Sequence, residues 1–372
     1  MAAKPSSPGG QPYNATMEPS YNLAVNLPLR GSVVTRLRAA LATTPVDAGS
    51  LAYPDPAGAL WIRKAIAGWL ERVGGHGPVD PRLIVLTIGA RHALALALAA
   101  STAGRHSALL VEEHTYHGVR RVARHLGSRC VDVAMDRHGM RPDAVEQAAR
   151  RSGARALYVQ PTLQNPTTAT MPLERRLDIV EVAERLGLTI VEGDVYSPLH
   201  RPAREDLPPL ARLAPHRTVH CGGIGKILGP GLRVGWMLHA DAATQAATSA
   251  SIQLEQDGLP ALTPSIVARW MDDGTAEALL DELTAAMASR AGMARRIIGD
   301  DLVTSGTGLH AWLPLPDAPA MEKRLLAHGV HVAASEHFVD TGRRAAGIRL
   351  AMGAEEDPDR LEEALRIVAA GR

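Results

Sequence analysis

Residues 218–238 read TVHCGGIGKILGPGLRVGWML. Two apolar runs, Thr218–Cys221 and Val234–Leu238, flank a glycine-rich turn that carries Lys226 and Arg233. Short apolar runs bounded by glycine and proline are typical of buried strands. In open α/β sheets, ligands bind outside the carboxyl ends of the strands, which is where this lysine and arginine fall. The stretch therefore predicts an α/β sheet with a cationic site at one edge.

Apolar runs that alternate with amphipathic segments extend this pattern towards the N-terminus. Such alternation predicts a mostly parallel sheet with helices on both faces. After about residue 245, two long helical stretches (roughly 259–298), three short strands and a last helix predict a smaller α+β lobe. We predict an N-terminal arm over residues 1–30, a large domain over 31–245 and a small C-terminal domain over 246–372. The predicted strands of the large domain are Leu83–Leu86, Ala108–Val111, Ala156–Val159, Leu188–Glu192, Thr218–Cys221 and Val234–Leu238.

Composition excludes several classes of protein. Forty basic and 39 acidic residues give a net charge of +1, so no basic surface for nucleic acid is expected. The two cysteines, Cys130 and Cys221, make neither a disulfide framework nor a zinc site, which favours a reducing cytoplasm. The longest apolar run, Ala93–Ala100, is too short to span a bilayer. We therefore expect a cytoplasmic protein with no membrane or nucleic-acid partner.

The ends of the predicted strands bring one set of polar groups to the same edge of the sheet. A phosphorylated pyridine aldehyde would use every member of this set: a helix N-terminus for its phosphate, an amine for a Schiff base, a carboxylate for its ring nitrogen and hydroxyl or amide donors for its phenolate. The set consists of Gly89, Ala90, Arg91, Tyr116, Asn165, Asp194, Tyr196, Lys226 and Arg233.

Three other interpretations of these segments are weaker. A phosphate-binding Walker A loop needs glycine where His220 stands and a hydroxyl residue where Ile227 stands. His114 and His117 have metal-ligand spacing, but no further ligands follow at a recognisable distance, so no metal is expected. A role for Cys221 as a nucleophile is also weaker, because this residue closes an apolar strand and is expected to be packed in the core.

The order of the segments resembles the class I and II aminotransferases, which are pyridoxal-5′-phosphate (PLP) enzymes of fold type I. It is most similar to the aminotransferase domain of MocR-type regulators. The resemblance runs from Asn22 to Leu350 and rests on seven elements in the right order. They are Tyr53–Gly58, Gly89–Leu94, Thr115–Gly118, Gln164–Pro172, Glu192–Tyr196, Gly225–Gly235 and Arg349.

This resemblance implies a role for each residue around the cofactor. Lys226 is implied as the Schiff-base and proton-transfer lysine, Asn165 and Tyr196 as donors to the phenolate oxygen, Tyr116 as the residue that stacks on the ring, and Gly89, Ala90 and Arg233 as phosphate ligands.

The resemblance also implies substrate contacts and an assembly. Arg349 would pair with a substrate carboxylate through a bidentate fork. Asn26 would offer a backbone contact to the substrate. Tyr53 would reach the phosphate of the neighbouring subunit, which implies a homodimer with shared active sites.

Two departures from the family pattern concern the phosphate. The family usually has serines where Gly223 and Gly225 stand, and both donate to the phosphate. It usually has a neutral amide where Arg91 stands, at the start of a helix. We expect the Arg91 guanidinium to replace the lost hydroxyl donors with a charge-assisted contact.

A third departure concerns the pyridine nitrogen. The family places an aspartate directly after the strand-end glutamate, where this chain has Gly193, and the remaining acid is Asp194. Successive side chains of a strand point to opposite faces, so a shift by one residue turns the carboxylate away unless the backbone bulges. We expect a bulge at Gly193 that brings Asp194 to the ring. Without it, ordinary transamination is in doubt.

The function expected from the sequence is that of a PLP-dependent enzyme acting on an amino acid or related amine, with transamination as the default reaction. Elimination, cyclisation or racemisation in specialised biosynthesis is an alternative, and so is a catalytically silent PLP or amino-acid sensor. Only about twenty residues rich in Pro, Gly and Ser precede the first matching segment, so no DNA-binding helix-turn-helix is expected.

Overall fold

The structure, a computed structural model, describes residues 20–102, 107–200, 207–339 and 347–372. Its strands are β1 (Tyr21–Asn22), β2 (Ile84–Ile88), β3 (Ala108–Glu112), β4 (Arg129–Val133), β5 (Met135–Asp136), β6 (Gly139–Met140), β7 (Ala156–Val159), β8 (Thr189–Asp194), β9 (Thr218–Gly223), β10 (Val234–Leu238), β11 (His310–Pro314), β12 (Val330–His331), β13 (Ala333–Ala334) and β14 (Gly347–Ala351). Its helices are α1 (Gly31–Thr43), α2 (Leu60–Arg72), α3 (Ala90–Ser101), α4 (His117–His125), α5 (Pro142–Ser152), α6 (Leu173–Leu186), α7 (Leu210–Leu213), α8 (Ala242–Gln256), α9 (Leu262–Asp272), α10 (Thr275–Ile298), α11 (Ala318–Ala327) and α12 (Pro358–Ala370).

The central sheet has seven strands in the order β2-β10-β9-β8-β7-β3-β4. β10 runs antiparallel to both of its neighbours, and the remaining pairs are parallel. Because helices cover both faces, the inner strands are buried almost throughout and carry few polar residues. The α/β architecture predicted from the apolar runs is confirmed. Among the described residues, no helix has the length and apolar character needed to cross a membrane.

One strand of this sheet, β4, was not predicted from the sequence. It forms one edge of the sheet, and among the described residues its strand partner is β3. Its sequence, RCVDV, carries an arginine and an aspartate because an edge strand is only partly covered. Arg120 of α4 forms an ion pair with Asp132 of this strand at 2.8 Å. The charged residues of β4 interrupt its apolar run, and a strand prediction from sequence depends on such a run.

Two hydrophobic cores meet along α10. The core of the large lobe includes α8, α9 and the first half of α10 as far as Met287. The second core begins with Ala291 of α10 and includes α11, α12 and the three-stranded sheet β11-β14-β13. The helix α10 thus contributes to both cores, and the domain boundary near residue 245 stays a prediction.

The N-terminal segment from residue 20 belongs to the second core. β1 pairs in parallel with β12, and Leu23 is fully buried. Residues 1–19 of the predicted arm lie outside the described residues. From β1, residues 24–27 pass along the edge of the large lobe and line the cavity described below.

Candidate active site

A cavity of about 510 Å³ lies at the carboxyl ends of the parallel strands. Its size is typical of small-molecule sites. Residues that follow β2, β3, β7, β8 and β9 line it, together with the N-terminal segment and Arg349 of β14. Among the predicted site residues, those that line it are Asn26, Gly89, Ala90, Arg91, Tyr116, Asn165, Tyr196, Lys226, Arg233 and Arg349.

Lys226 lies in a short turn that follows β9 directly. Its Nζ donates a hydrogen bond of 2.6 Å to the backbone oxygen of Asn26. Burial, together with the positive charges of Arg349 and Arg91, lowers the pKa of Lys226 to about 7. A substantial fraction of this amine is therefore neutral, and nucleophilic, near neutral pH.

A hydrogen-bonded network holds Tyr196 beside the lysine. Asn26 Nδ2 donates to Tyr196 Oη at 2.9 Å and lies 3.0 Å from His310 Nδ1. His310 Nε2 lies 3.2 Å from the backbone oxygen of Gln164, so Nε2 carries the proton and Nδ1 accepts. Burial lowers the pKa of His310 to about 3 and raises that of Tyr196 to about 12. Both side chains are therefore neutral at physiological pH.

Arg349 is a buried cation in the lining of the cavity. Its Nη1 donates to Asn165 Oδ1 at 2.8 Å, and its Nη2 donates to the backbone oxygen of Ala24. The guanidinium carbon lies 5.0 Å from the ring centroid of Phe338. Its Nε is buried and has no hydrogen-bond partner among the described residues. A buried guanidinium with an unused donor is suited to bind an anionic ligand.

The N-terminus of α3 forms a second wall. Gly89 precedes the helix with a φ of 75°, and a side chain there would meet the Arg233 guanidinium. Arg233 adopts a left-handed φ of 54° and donates to the backbone oxygen of Ile88 at 2.7 Å. A Cβ on Gly235 would lie 2.6 Å from the backbone nitrogen of Ala90, so this glycine lets the helix start approach β10 closely. Unpaired backbone donors and a guanidinium thus share one corner.

Arg91 contacts the cavity and is not directed away from it. Its Nε and Nη2 donate to Tyr116 Oη at 3.0 and 2.6 Å. Gly118 leaves room for the Tyr116 ring, because a side chain on Gly118 would collide with it. Arg91 is exposed at the mouth, next to the helix N-terminus. The predicted placement is consistent with a contact to a phosphate, which remains a prediction.

The charged residues in the described lining of the cavity are all basic. Three guanidinium groups and the partly protonated amine of Lys226 line it, and none of the described lining residues is Asp or Glu. Such a cavity favours a ligand with several negative charges. The three guanidinium groups are those of Arg91, Arg233 and Arg349.

The expectation that Asp194 faces this cavity is wrong. β8 pairs with β9 in continuous register through Gly193 and Asp194, with no bulge between them. The Asp194 carboxylate points to the other face of the sheet, where it accepts from Ser197 N at 3.1 Å and Ser197 Oγ at 2.6 Å. His220 Nε2 lies 3.4 Å away and helps to lower the pKa of Asp194 to about 2. These bonds satisfy the carboxylate without any distortion of the strand.

A buried cluster on this face consists of Asp194, His220 and His76. The potential metal-ligand atoms of these residues lie within 4.8 Å of one another, close enough to share a metal ion. The rings of His76 and His220 meet edge to face at 4.4 Å. The direct contact between Asp194 and His220 and the nearby positive charge of Arg212 both disfavour a cation there.

The family to which the chain belongs follows from a match over nearly its whole length. The family model described as aminotransferase class I and II matches residues 19–368. The chain belongs to this family. The predicted family is thereby confirmed, and pyridoxal phosphate is the cofactor that the family resemblance implied.

Relatives of this aminotransferase-family chain include regulators and an enzyme. It is 27% identical to the uncharacterized HTH-type transcriptional regulator YdeF of Bacillus subtilis (strain 168), over 83% of this chain and 66% of YdeF. It is 30% identical to the HTH-type pyridoxine biosynthesis transcriptional regulator PdxR of Corynebacterium glutamicum, over 84% of this chain and 67% of PdxR. It is 29% identical to the 2-aminoadipate transaminase of Thermus thermophilus, over 62% of this chain and 56% of the enzyme. The chain spans 45% and 46% of two further Bacillus subtilis regulators, YdfD and YisV.

Solved structures share the fold. An archaeal alanine:glyoxylate aminotransferase superposes with a TM-score of 0.84 at 24% identity, over 95% of this chain and 90% of that one. The α-aminoadipate aminotransferase LysN from Thermus thermophilus superposes with a TM-score of 0.81 at 24% identity, over 95% of this chain and 92% of that one. Fold type I is thereby confirmed for this family member.

The sequence did not indicate some of the site residues, and Tyr53, like Asp194, is a predicted site residue that does not line the cavity. Tyr158 and Gln160, at the end of β7, line the cavity, and His310 orders its network. The period-two spacing of Tyr158 and Gln160 was the available signal, since both must face one side of the sheet. Tyr53 is 87% exposed and does not line the cavity of its own chain.

Proposed function

We propose that this chain is a PLP-dependent enzyme that acts on an α-amino acid or related amine, with transamination as its default reaction. The observation that carries the proposal is the amine of Lys226, with a pKa of about 7, in a cavity that three guanidinium groups line and whose described lining residues include no carboxylate. PLP fits this donor set because it brings a phosphate and an aldehyde. When bound, it supplies an electron-withdrawing ring that labilises bonds at the substrate's α carbon.

The phosphate end of the cofactor would be held at the N-terminus of α3. Backbone donors that follow Gly89 and the guanidinium of Arg233 converge there. Gly223 and Gly225 offer no hydroxyl, so the site needs another donor at this corner. Arg91 is the available cation, and its guanidinium already lies beside the helix start.

We expect Arg91→Ala to weaken PLP binding by about 2–3 kcal/mol, because a charge-assisted contact to the phosphate is lost. The measurement is a PLP titration followed by absorbance. Pyridoxal, which lacks the phosphate, is the matched control ligand, and its affinity should change little. An equal loss for both ligands would show that Arg91 acts only by positioning Tyr116.

At the other end, Lys226 and Tyr196 would handle protons. Lys226 is the base that can take a proton from the substrate's α carbon and return it, because its pKa lies near the working pH. Tyr196 remains protonated, since burial raises its pKa to about 12, and so can donate a hydrogen bond to an anionic oxygen. Arg349 would orient the substrate through its carboxylate.

Two other functions have specific support. HTH-type regulators are among the relatives, which favours a binding protein without turnover. The lack of a carboxylate in the described cavity lining favours a PLP reaction other than transamination. An absorbance spectrum with PLP, then with pooled amino acids and a 2-oxo acid, separates the three. Transfer of the amino group supports our proposal, turnover without transfer supports another PLP reaction, and a static spectrum supports a binding protein.

We also propose a homodimer with shared sites, in a cytoplasmic setting that suits the two free cysteines. Apolar side chains are exposed at one region of the large lobe: Leu51 is 85% exposed, Tyr53 87% and Leu254 89%. Pro54, the neighbour of Tyr53 in sequence, lies against Gly258, which follows the end of α8 that carries Leu254. An exposed apolar patch of this kind supports an interface with a second copy.

A mixture of Tyr53→Phe and Lys226→Ala proteins tests the shared site. If Tyr53 serves the neighbouring subunit, a mixed dimer contains one site with both wild-type residues. We expect random exchange to restore about one quarter of the wild-type activity at limiting PLP, whereas each variant alone is weak. No recovery after verified subunit exchange would contradict the shared site.

A further inference from the structure

The floor of the cavity has Gly193 at the position where the family pattern has an aspartate. Gly193 lies on the cavity face of β8, and its backbone is held in regular register with β9. The next residue, Asp194, is bonded to Ser197 on the opposite face. The backbone therefore fixes the side of the strand that each residue faces. Position 193 faces the cavity, and as a glycine it has no side chain there.

Tyr158 of the neighbouring strand β7 fills the space beside Gly193. A Cβ on Gly193 would lie 2.5 Å from Tyr158 Oη and 2.8 and 2.9 Å from its ring atoms Cε2 and Cζ. Tyr158 is only 3% exposed, and it lines the cavity. The tyrosine and any larger residue at 193 exclude each other, so the two positions form a matched pair.

The surroundings of Tyr158 keep it neutral. Burial raises the pKa of its hydroxyl well above 10, and nearby Glu112 adds to this effect. Glu112 lies behind the lining, where Gln164 Nε2, Gln160 N and Thr115 Oγ1 donate to its carboxylate. A phenol with so high a pKa donates a hydrogen bond but does not transfer its proton to a pyridine.

Gln160, which directly follows β7, also lines the cavity. It is buried, and its Oε1 has no hydrogen-bond partner among the described residues. An unpaired buried acceptor beside a neutral hydroxyl indicates that this floor binds polar groups of a ligand without offering a charge.

We propose, resting on the proposed binding of PLP at Lys226, that the Tyr158 hydroxyl takes the place of the carboxylate at the pyridine nitrogen and leaves that nitrogen unprotonated. The nitrogen then accepts a hydrogen bond and stays neutral. A neutral pyridine ring withdraws electron density from the substrate less strongly than a pyridinium ring does. Tyr158 is thus a cofactor-binding residue that limits how strongly a carbanion is stabilised in this site.

The test is ¹⁵N NMR of protein reconstituted with PLP labelled at the ring nitrogen. We expect the wild type to show an unprotonated, hydrogen-bonded nitrogen. Tyr158→Phe removes only the hydroxyl and should move the resonance to that of a nitrogen without a donor, with PLP affinity lowered roughly 5- to 10-fold. Tyr21→Phe, which removes a hydroxyl in the second core, is the matched control and should change neither.

A second variant reinstates the acid. Tyr158→Val with Gly193→Asp makes room for a carboxylate on the cavity face, and its ring nitrogen should become protonated. A pyridinium signal in the wild type, or an unchanged resonance in Tyr158→Phe, overturns the inference. If borohydride leaves no pyridoxyl group on Lys226, the proposed function fails and this inference fails with it. A labelled Lys226 with a pyridinium nitrogen overturns the inference alone.

Discussion

Lys226→Ala should abolish covalent capture of the cofactor and lower turnover by roughly 10²–10⁴-fold, because the variant loses both the attaching amine and the proton-transfer base. The measurement is borohydride reduction in the presence of PLP, followed by peptide mapping and by an assay with the identified amine donor. In the wild type, the pyridoxyl group should be found on Lys226.

The chain supplies its own controls for this experiment. Lys64 and Lys323 are exposed on α2 and α11, so Lys64→Ala and Lys323→Ala should retain labelling and activity. A pyridoxyl group on either of these lysines, with Lys226 unmodified, would refute the assignment.

The pH dependence of capture provides a second measurement on the same lysine. The folded-state pKa of Lys226 is lowered from its ordinary value of 10.5 to about 7, so the reactive neutral amine forms as the pH rises through 7. The rate of capture should rise up to about pH 7 and then level off. An ordinary exposed lysine would keep gaining rate up to about pH 10.

Arg349→Gln should raise KM for an α-amino acid by roughly 10- to 100-fold, equivalent to the loss of a charge-assisted contact of about 1.5–3 kcal/mol. The matched ligand control is the amine that lacks the carboxylate, whose KM should change little. Arg366→Gln, on the exposed side of α12, is the matched protein control. An equal loss for the acid and the amine would show that Arg349 does not bind the carboxylate.

Arg349→Gln should also change the titration of Lys226. Arg349 is the main charged group that lowers the pKa of Lys226, so its removal should move the capture profile to higher pH. Thermal unfolding must accompany these assays, because Arg349 is buried and bonded to Asn165 and to the backbone of Ala24.

The fold and most of the site were predictable from the residues at the carboxyl end of each strand. Parallel strands deliver their carboxyl ends to one edge of a sheet, so residues far apart in sequence must converge once the strands are identified. Asn165 and Lys226 lie in one cavity for this reason. Arg349 and Asn26, from the second lobe and the N-terminal segment, were placed by the order of the family segments.

The rest depended on contacts that one sequence does not contain. A bulge at Gly193 was expected because glycine permits it, but Ser197 and His220 already satisfy Asp194 on the other face of the sheet. Ser197 lies in the turn that follows β8, and His220 lies on the neighbouring strand β9. The position of Tyr158 beside Gly193 follows from the register of β7 against β8, which no periodicity in either strand reveals.

The continuity of α10 has a thermodynamic consequence. This helix has 24 residues, and its two halves belong to different cores. If either core melted, half of the helix would lose its packing surface, and isolated helical segments of that length are marginal in water. Melting one lobe therefore removes stability from the other, which couples the two into one cooperative unit. A calorimetric scan should show a single unfolding transition, although the two halves of α10 pack into separate hydrophobic cores.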